Sequence, residues 1–183
     1  MTFTQTPLSG AHLIRLSPRG DNRGWFARTY CQNEFAQIGH TDSWVQMNHS
    51  MTHQLGTIRG MHFQRQPDAE IKLVRCIAGN VFDVIIDLRT DSPTFKQWFG
   101  AELSADNQQM MYLPKGFAHG FQTLTADCQL LYCHSTYYAP RSEGAIRFDD
   151  PQIGIQWPLA VTDLSERDAC HPFLDDDFTG LII

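Results

Sequence analysis

Along most of this chain apolar and polar residues alternate with a period of two, the mark of strands buried on one face. HLIRLSP and WFARTY flank an RGDNRG tip, where Asp, Asn and Gly tolerate left-handed backbone. WVQMNHS, NVFDVIIDL, FKQWFGAEL, QQMMYLP, GFAHGFQTL and CQLLYCHSTYY read as further strands, separated by clusters of Gly, Pro, Asn and Asp. Turn signals recur at intervals of about ten residues, the spacing of a β-sandwich or barrel. Helical patterning is confined to two places. CQNEFAQIG carries one short helix, with Asn33 as its N-cap and Gly39 as its stop, and another starts near Ser165, ahead of Glu166, Asp168 and Ala169. No strand–helix–strand alternation occurs, which disfavours a parallel sheet. After Pro140 the alternation loosens, and neither a repeat nor a domain boundary is visible, so the expectation is one all-β domain over residues 1–183.

The stretch TIRGMHFQRQPDAEIKLVRC, residues 57–76, sets ionisable groups inside this apolar pattern. It reads as a hairpin, with Thr57–Gln64 as one strand, Arg65–Ala69 as the turn and Glu70–Ala78 as the return strand. Alternation sends His62 and Gln64 to one face and Met61 and Phe63 to the other. Lys72 shares parity with Val74 and Cys76, a core-facing position where a charge costs desolvation energy unless something uses it. Taken alone, the stretch fits a satisfied core histidine and a lysine reaching a barrel mouth more readily than a site. Other strands shift that balance. Gln46 and Asn48, Arg59, His119 and Tyr132 each bring a polar group that would point into the same barrel interior, and converging polar groups are what a small-ligand pocket requires.

Composition narrows the classes. A net charge of −6 with no basic stripe argues against nucleic acid as partner. Five cysteines, an odd number with no C-x-x-C pair, argue against a disulfide framework or a zinc knuckle. MTFTQTPLSG lacks the pattern of a signal peptide, and the longest apolar run, VFDVIIDL, is broken by aspartate and too short for a membrane span. These features point to a soluble, reduced, cytoplasmic protein without a membrane partner. Small jelly rolls often hold iron or manganese on an H-x-H pair plus a distant histidine. Here the pair reads His62-Phe63-Gln64, and His119 with Glu70 leaves the nitrogen-rich set short, so metal dependence is disfavoured.

DNRGWF, VQMNHS, RGMHFQ, KLVRCIAGNVFDVIIDLR, SPTF, PKGFAHGF, LLYCHSTYYAP and IRFDDPQIGIQWP together, in order from about Gly20 to about Pro172, resemble the dTDP-4-dehydrorhamnose 3,5-epimerase family. The resemblance implies a cupin-type jelly-roll barrel, a homodimer, no metal, no organic cofactor, and a nucleotide-linked 4-keto-6-deoxyhexose as substrate. Carried over by position, the base falls on His62, its aspartate partner on Asp168, the acid on the opposite sugar face on Tyr132, and the group meeting the 4-keto oxygen on Lys72. Arg23, Gln46, Asn48, Arg59, His119, Glu143 and Arg167 match positions that hold the nucleotide or sugar, Arg167 standing where a lysine is often seen.

The chemistry is self-consistent. Hydrogens on C3 and C5 are acidic only because C4 is a carbonyl, so inversion needs a base on one face, a donor on the other and positive charge at the enolate oxygen. Alternatives are a single-carbon epimerase, an enzyme for a CDP-linked sugar, a silent sugar-nucleotide-binding cupin and a metal-dependent oxygenase. Arg28 departs from the family pattern, which usually has a glutamate contacting the nucleotide end of the substrate. Arginine only donates, so it suits cytosine N3 rather than thymine N3–H; alternatively it faces outward or holds phosphate. Arg59 and His62 have opposite parity, and a bulge at Gly60 would reconcile them.

Overall fold

The alternating runs fold as strands: β1 (Thr2–Gln5), β2 (His12–Arg15), β3 (Arg19–Asp21), β4 (Gly24–Phe26), β5 (Gln46–Thr52), β6 (Thr57–Gln64) and β7 (Lys72–Ala78). There follow β8 (Asn80–Asp87), β9 (Trp98–Ser104), β10 (Gln109–Leu113), β11 (Phe117–Thr123), β12 (Cys128–His134), β13 (Glu143–Ala145) and β14 (Asp163–Leu164). This computed structural model describes residues 1–183. The strands make two six-stranded sheets, one ordered β1-β2-β10-β7-β12-β5, the other β13-β6-β11-β8-β9 with β14 parallel to β6; β3 and β4 form a separate hairpin. The result is the cupin-type jelly roll expected from the sequence. No helix is long and apolar enough to cross a membrane.

Alternation along the strands builds three layers of apolar contact. Val74, Cys76, Met111 and Leu130 from the first sheet meet Val81, Ile85, Leu103 and Phe121 from the second in the central core. Each large side chain fully buried there contributes about 1.5–3 kcal/mol. Met61, Phe63, Val84 and Ile86 leave the second sheet on its other face and are covered by Ile146, Ile153, Ile155 and Leu181. The outer face of the first sheet is covered by Phe35, which packs with Ile14, Leu73, Met110 and Tyr112. Phe35 ends helix α1 (Gln32–Phe35), which continues as a 3₁₀ turn over Ala36–Ile38 and stops at Gly39 in left-handed conformation. The N-cap is Cys31, without a side-chain bond, and not Asn33, which lies inside the helix. Helix α2 (Glu166–Ala169) begins where expected: Ser165 accepts from the Asp168 N–H at 3.1 Å.

Residues 57–78 are not a hairpin. Strand β6 pairs with β11, β13 and β14, whereas β7 pairs with β10 and β12 in the opposite sheet. The intervening residues cross from one sheet to the other, because Val74 and Met61 must bury their side chains in different apolar layers. His62 and Lys72 therefore enter the interior from opposite walls.

The parity conflict at Arg59 is resolved by a bulge. His119 pairs with His62 and Phe121 with Arg59, so β11 advances two residues where β6 advances three. Gly60 takes up the extra residue at φ +129°, and a Cβ on it would lie 2.5 Å from Gly120 Cα. Only glycine meets both demands, the positive φ and the backbone contact.

At the end of β8, fully buried Asp87 organises the turn that follows. Arg89 Nη2 and Nε donate to its two oxygens at 2.7 and 2.9 Å, and the Ser92 and Thr94 hydroxyls each donate at 2.6 Å. Burial pushes the carboxyl up, but these donors outweigh it and hold Asp87 below the ordinary carboxylate value. Its folded pKa lies below the unfolded value of about 3.9, so the linked stability is complete above that pH and is lost as pH falls through the folded value. Asp87→Asn should lower the urea midpoint at pH 7, costing about 2–3 kcal/mol by leaving Arg89 without its carboxylate. Its midpoint should also fall less than the wild type's between pH 7 and pH 3; equal losses would rule out this carboxylate as a source of the acid sensitivity.

Candidate functional site

At one end of the sandwich the apolar core gives way to a cavity of about 360 Å³. Only Phe121 and Tyr132 among its lining residues are hydrophobic, so it suits a hydroxylated, charged ligand better than an apolar one. A smaller lobe of about 130 Å³ shares Asn48, His62, Lys72 and His134 with it.

From the second sheet, β6 supplies His62. Its Nε2–H donates to Asp168 Oδ1 at 2.8 Å, and because an ionised carboxylate only accepts, Nδ1 is left with the free lone pair. Asp168 is delivered by the first turn of α2, and its Oδ2 accepts from the Gly60 N–H at 3.3 Å. Burial pushes Asp168 up, but the hydrogen bond and charge of His62, with the Gly60 N–H, hold it below its ordinary value. Strand β11 adds His119, whose Nε2 lies 2.8 Å from Asp83 Oδ2 on β8. Asp83 is wholly buried, and desolvation raises its pKa despite that partner.

From the first sheet, β12 directs Tyr132 and His134 inward at i and i+2. The Tyr132 hydroxyl lies 3.1 Å from Ser50 Oγ. Burial drives its pKa far above that of an exposed phenol, with the Ser50 bond opposing only in part, so the phenol keeps its proton. Lys72 opens β7, with Nζ 3.0 Å from Glu70 Oε1, and His134 Nδ1–H donates to Glu70 Oε2 at 2.7 Å. His134 Nε2 can then accept from Asn48 Nδ2 at 3.3 Å. Burial pushes Glu70 up, but His134 and Lys72 together hold it below its ordinary value.

The other expected residues divide in two groups. Arg59 lines the main cavity, fixed by Nε donating to Thr52 Oγ1 at 2.9 Å, and Arg167 lines it from α2 while pairing with Glu143. Gln46 and Glu143 line the smaller lobe. Arg23 and Arg28 do not line the cavity of their own chain: Arg23 pairs with Asp21 at the exposed β3–β4 tip, and Arg28 pairs with Glu34 of α1 at 2.7 Å. Glu70, a candidate metal ligand from its sequence position, has its carboxylate taken up by Lys72 and His134. Asp83, His134 and Ser50 were not singled out. Asp83 had a signal, a lone acid in the apolar strand VFDVIIDL, and His134 shares the parity of Tyr132.

The arrangement sets a carboxylate-oriented imidazole on one wall against a protonated phenol and an ammonium group on the other. Such a set can remove a proton from one face of a bound molecule, return one from the opposite face and stabilise negative charge between them.

Comparison with known proteins agrees with this chemistry. Residues 5–176 match the family model described as dTDP-4-dehydrorhamnose 3,5-epimerase. The dTDP-4-dehydrorhamnose 3,5-epimerase of Salmonella typhimurium is 48% identical over 177 residues, covering 96% of each chain. A dTDP-4-dehydrorhamnose 3,5-epimerase from Bacillus anthracis, solved with TDP and pyrophosphate bound, superposes with a TM-score of 0.91 at 41% identity, covering 94% of this chain and 99% of that one. The Legionella pneumophila dTDP-6-deoxy-D-glucose-3,5-epimerase, in complex with dTDP-4-keto-L-rhamnose, gives 0.92 at 37% identity, covering 100% of this chain and 98% of that one. With a match over nearly its whole length, a shared fold and a cavity able to move protons on two faces, this chain belongs to the dTDP-4-dehydrorhamnose 3,5-epimerase family of enzymes.

Proposed function

We propose that this enzyme inverts C3 and C5 of dTDP-4-dehydro-6-deoxy-D-glucose, giving the dTDP-4-dehydro-L-rhamnose used in deoxysugar biosynthesis. The observation that carries the proposal is the opposition, across one polar cavity, of the His62–Asp168 pair on β6 and α2 to Tyr132 and Lys72 on β12 and β7. His62 Nδ1 takes the proton beside the C4 carbonyl, and Asp168 stabilises the imidazolium that results. Charge passes to the C4 oxygen, where Lys72 supplies a compensating cation. Tyr132 then delivers its proton from the other face, which inverts the carbon. Arg59, Arg167, His119, Asn48, Gln46 and Glu143 hold the sugar and diphosphate.

Arg23 and Arg28 enter this scheme through a second copy of the chain. A homodimer in which the β3–β4 arm of one protomer reaches its partner's cavity would employ side chains that have no role in their own. Exposed Trp25 and Phe26 on that arm, and Met47 and Met51 on edge strand β5, offer apolar surface for such a contact. We place this single-domain enzyme in the cytoplasm, in keeping with its five free cysteines.

Exchange in D2O tests the division of labour. His62→Asn should abolish deuterium wash-in at both carbons, whereas Tyr132→Phe should spare wash-in and cut net inversion by about 10²–10⁴-fold. Asp168→Asn should slow both to a smaller extent. Equal loss of wash-in and inversion in Tyr132→Phe would reassign Tyr132 to substrate binding. Mixing inactive Arg23→Ala with inactive His62→Asn should regain part of the activity if the arm serves the partner's cavity, and none if each chain serves itself. For the nucleotide, wild type should bind TDP at least as tightly as CDP, and Arg28→Glu should weaken TDP, UDP and CDP alike. A preference for CDP of roughly ten- to hundredfold would instead set Arg28 against the base.

A further inference from the structure

His62 and Asp168 have a third neighbour that proton transfer does not use. His171, three residues beyond Asp168, packs edge-on to the His62 ring with centroids 5.4 Å apart and an interplanar angle of 86°. Its Nε2 comes within 3.3 Å of Asp168 Oδ1, the same oxygen that accepts from His62 at 2.8 Å. That approach is too poorly aligned for a hydrogen bond, so His171 Nε2, shielded from solvent, has only this ion-pair contact with Asp168. A solvent-shielded ring nitrogen with no hydrogen bond is uncommon and calls for an explanation.

A cation supplies one. Two imidazole nitrogens and one carboxylate oxygen, all within 4.8 Å of one another, are the donor set of zinc and its first-row neighbours rather than of magnesium or calcium. Metal–ligand bonds of about 2.1 Å on a tetrahedron separate the ligand atoms by about 3.4 Å, a spacing these atoms bracket. The neighbouring Arg167 pairs with Glu143, which offsets part of the positive charge it presents to the site.

We propose that His62 Nε2, Asp168 Oδ1 and His171 Nε2 form a binding site for zinc-class divalent cations whose occupation switches the catalytic base off. In the free enzyme His62 carries its proton on Nε2 and keeps the Nδ1 lone pair. A cation bound at Nε2 takes that nitrogen's electron pair, and the ring proton moves to Nδ1 with no net gain or loss. The cavity-side nitrogen becomes a donor, and proton abstraction stops. His119 and Glu70, the other metal-ligand candidates in the sequence, are engaged elsewhere, by Asp83 and by Lys72 with His134. The inhibition rests on His62 being the base; the binding does not.

Cobalt and zinc test the two parts separately. Chelator-treated wild type titrated with Co²⁺ should take up one ion per chain and develop the intense visible bands of low-coordinate cobalt, which Zn²⁺ then displaces. His171→Gln and His171→Asn should lose those bands while still binding TDP, which shows that the cavity is intact. Zinc should stop deuterium wash-in by wild type reversibly, with EDTA restoring it. Each His171 variant, normalised to its own rate in EDTA, should need roughly a hundredfold more zinc, the scale on which metal affinity responds to lost ligand support. Cobalt bands that survive both substitutions, a wild-type spectrum no different from aqueous cobalt, or equal zinc sensitivity in wild type and variants would each overturn the site. Failure of wash-in in metal-free wild type would count instead against the epimerase reading, since the cobalt titration needs no substrate.

Discussion

Placing charged groups inside a β-sandwich is the constraint around which this protein is built. The two sheets exclude water from the space between them, and an ionisable side chain there is tolerated only with a partner. The cavity meets the condition residue by residue. Asp168 holds His62, Asp83 faces His119, and Glu70 is shared between Lys72 and His134. These partnerships keep the ionisable groups in set orientations before any ligand arrives, which is the preorganisation that electrostatic catalysis needs. Tyr132 is the exception that follows the same rule: with a neutral neighbour, Ser50, it stays uncharged.

Two sheets also solve a problem that one could not. Inversion at carbon requires groups on both sides of a ring, and side chains from a single sheet face approach a ligand from one side. With β6 in one wall and β7 and β12 in the other, base and acid are separated by the width of the interior. The bulge at Gly60 adds a second adjustment. It turns Arg59 into the same cavity as His62, and it leaves the Gly60 N–H free to bond Asp168, so a single backbone irregularity serves the cation and the base together.

Much of this was legible in the chain before folding. Period-two alternation located most of the long strands to within a residue or two, since which face a side chain takes is a local property of extended backbone. FKQWFGAEL, however, begins three residues before β9, and CQLLYCHSTYY runs four past the end of β12. Gly39 and Ser165 marked a helix end and a helix start through equally local chemistry, positive φ in one case and a side-chain cap in the other. The polar residues at inward parity, among them Lys72, Tyr132 and His119, could be picked out because each interrupts an apolar face. Long, ordered motifs identified the family.

What alternation cannot record is which strand lies beside which. A turn such as Arg65–Ala69 looks the same whether it closes a hairpin or carries the chain to the other sheet, and only burial in two separate apolar layers decides it. Partners distant in sequence, such as Asp83 for His119, Glu70 for His134 and His171 beside His62, likewise arise from strand pairing and crossings. Arg23 and Arg28 mark the same boundary. The sequence names them as ligand-binding side chains, but their distance from their own cavity is a consequence of where the β3–β4 hairpin projects. Local geometry decides what each residue can do, and long-range packing decides what it does it to.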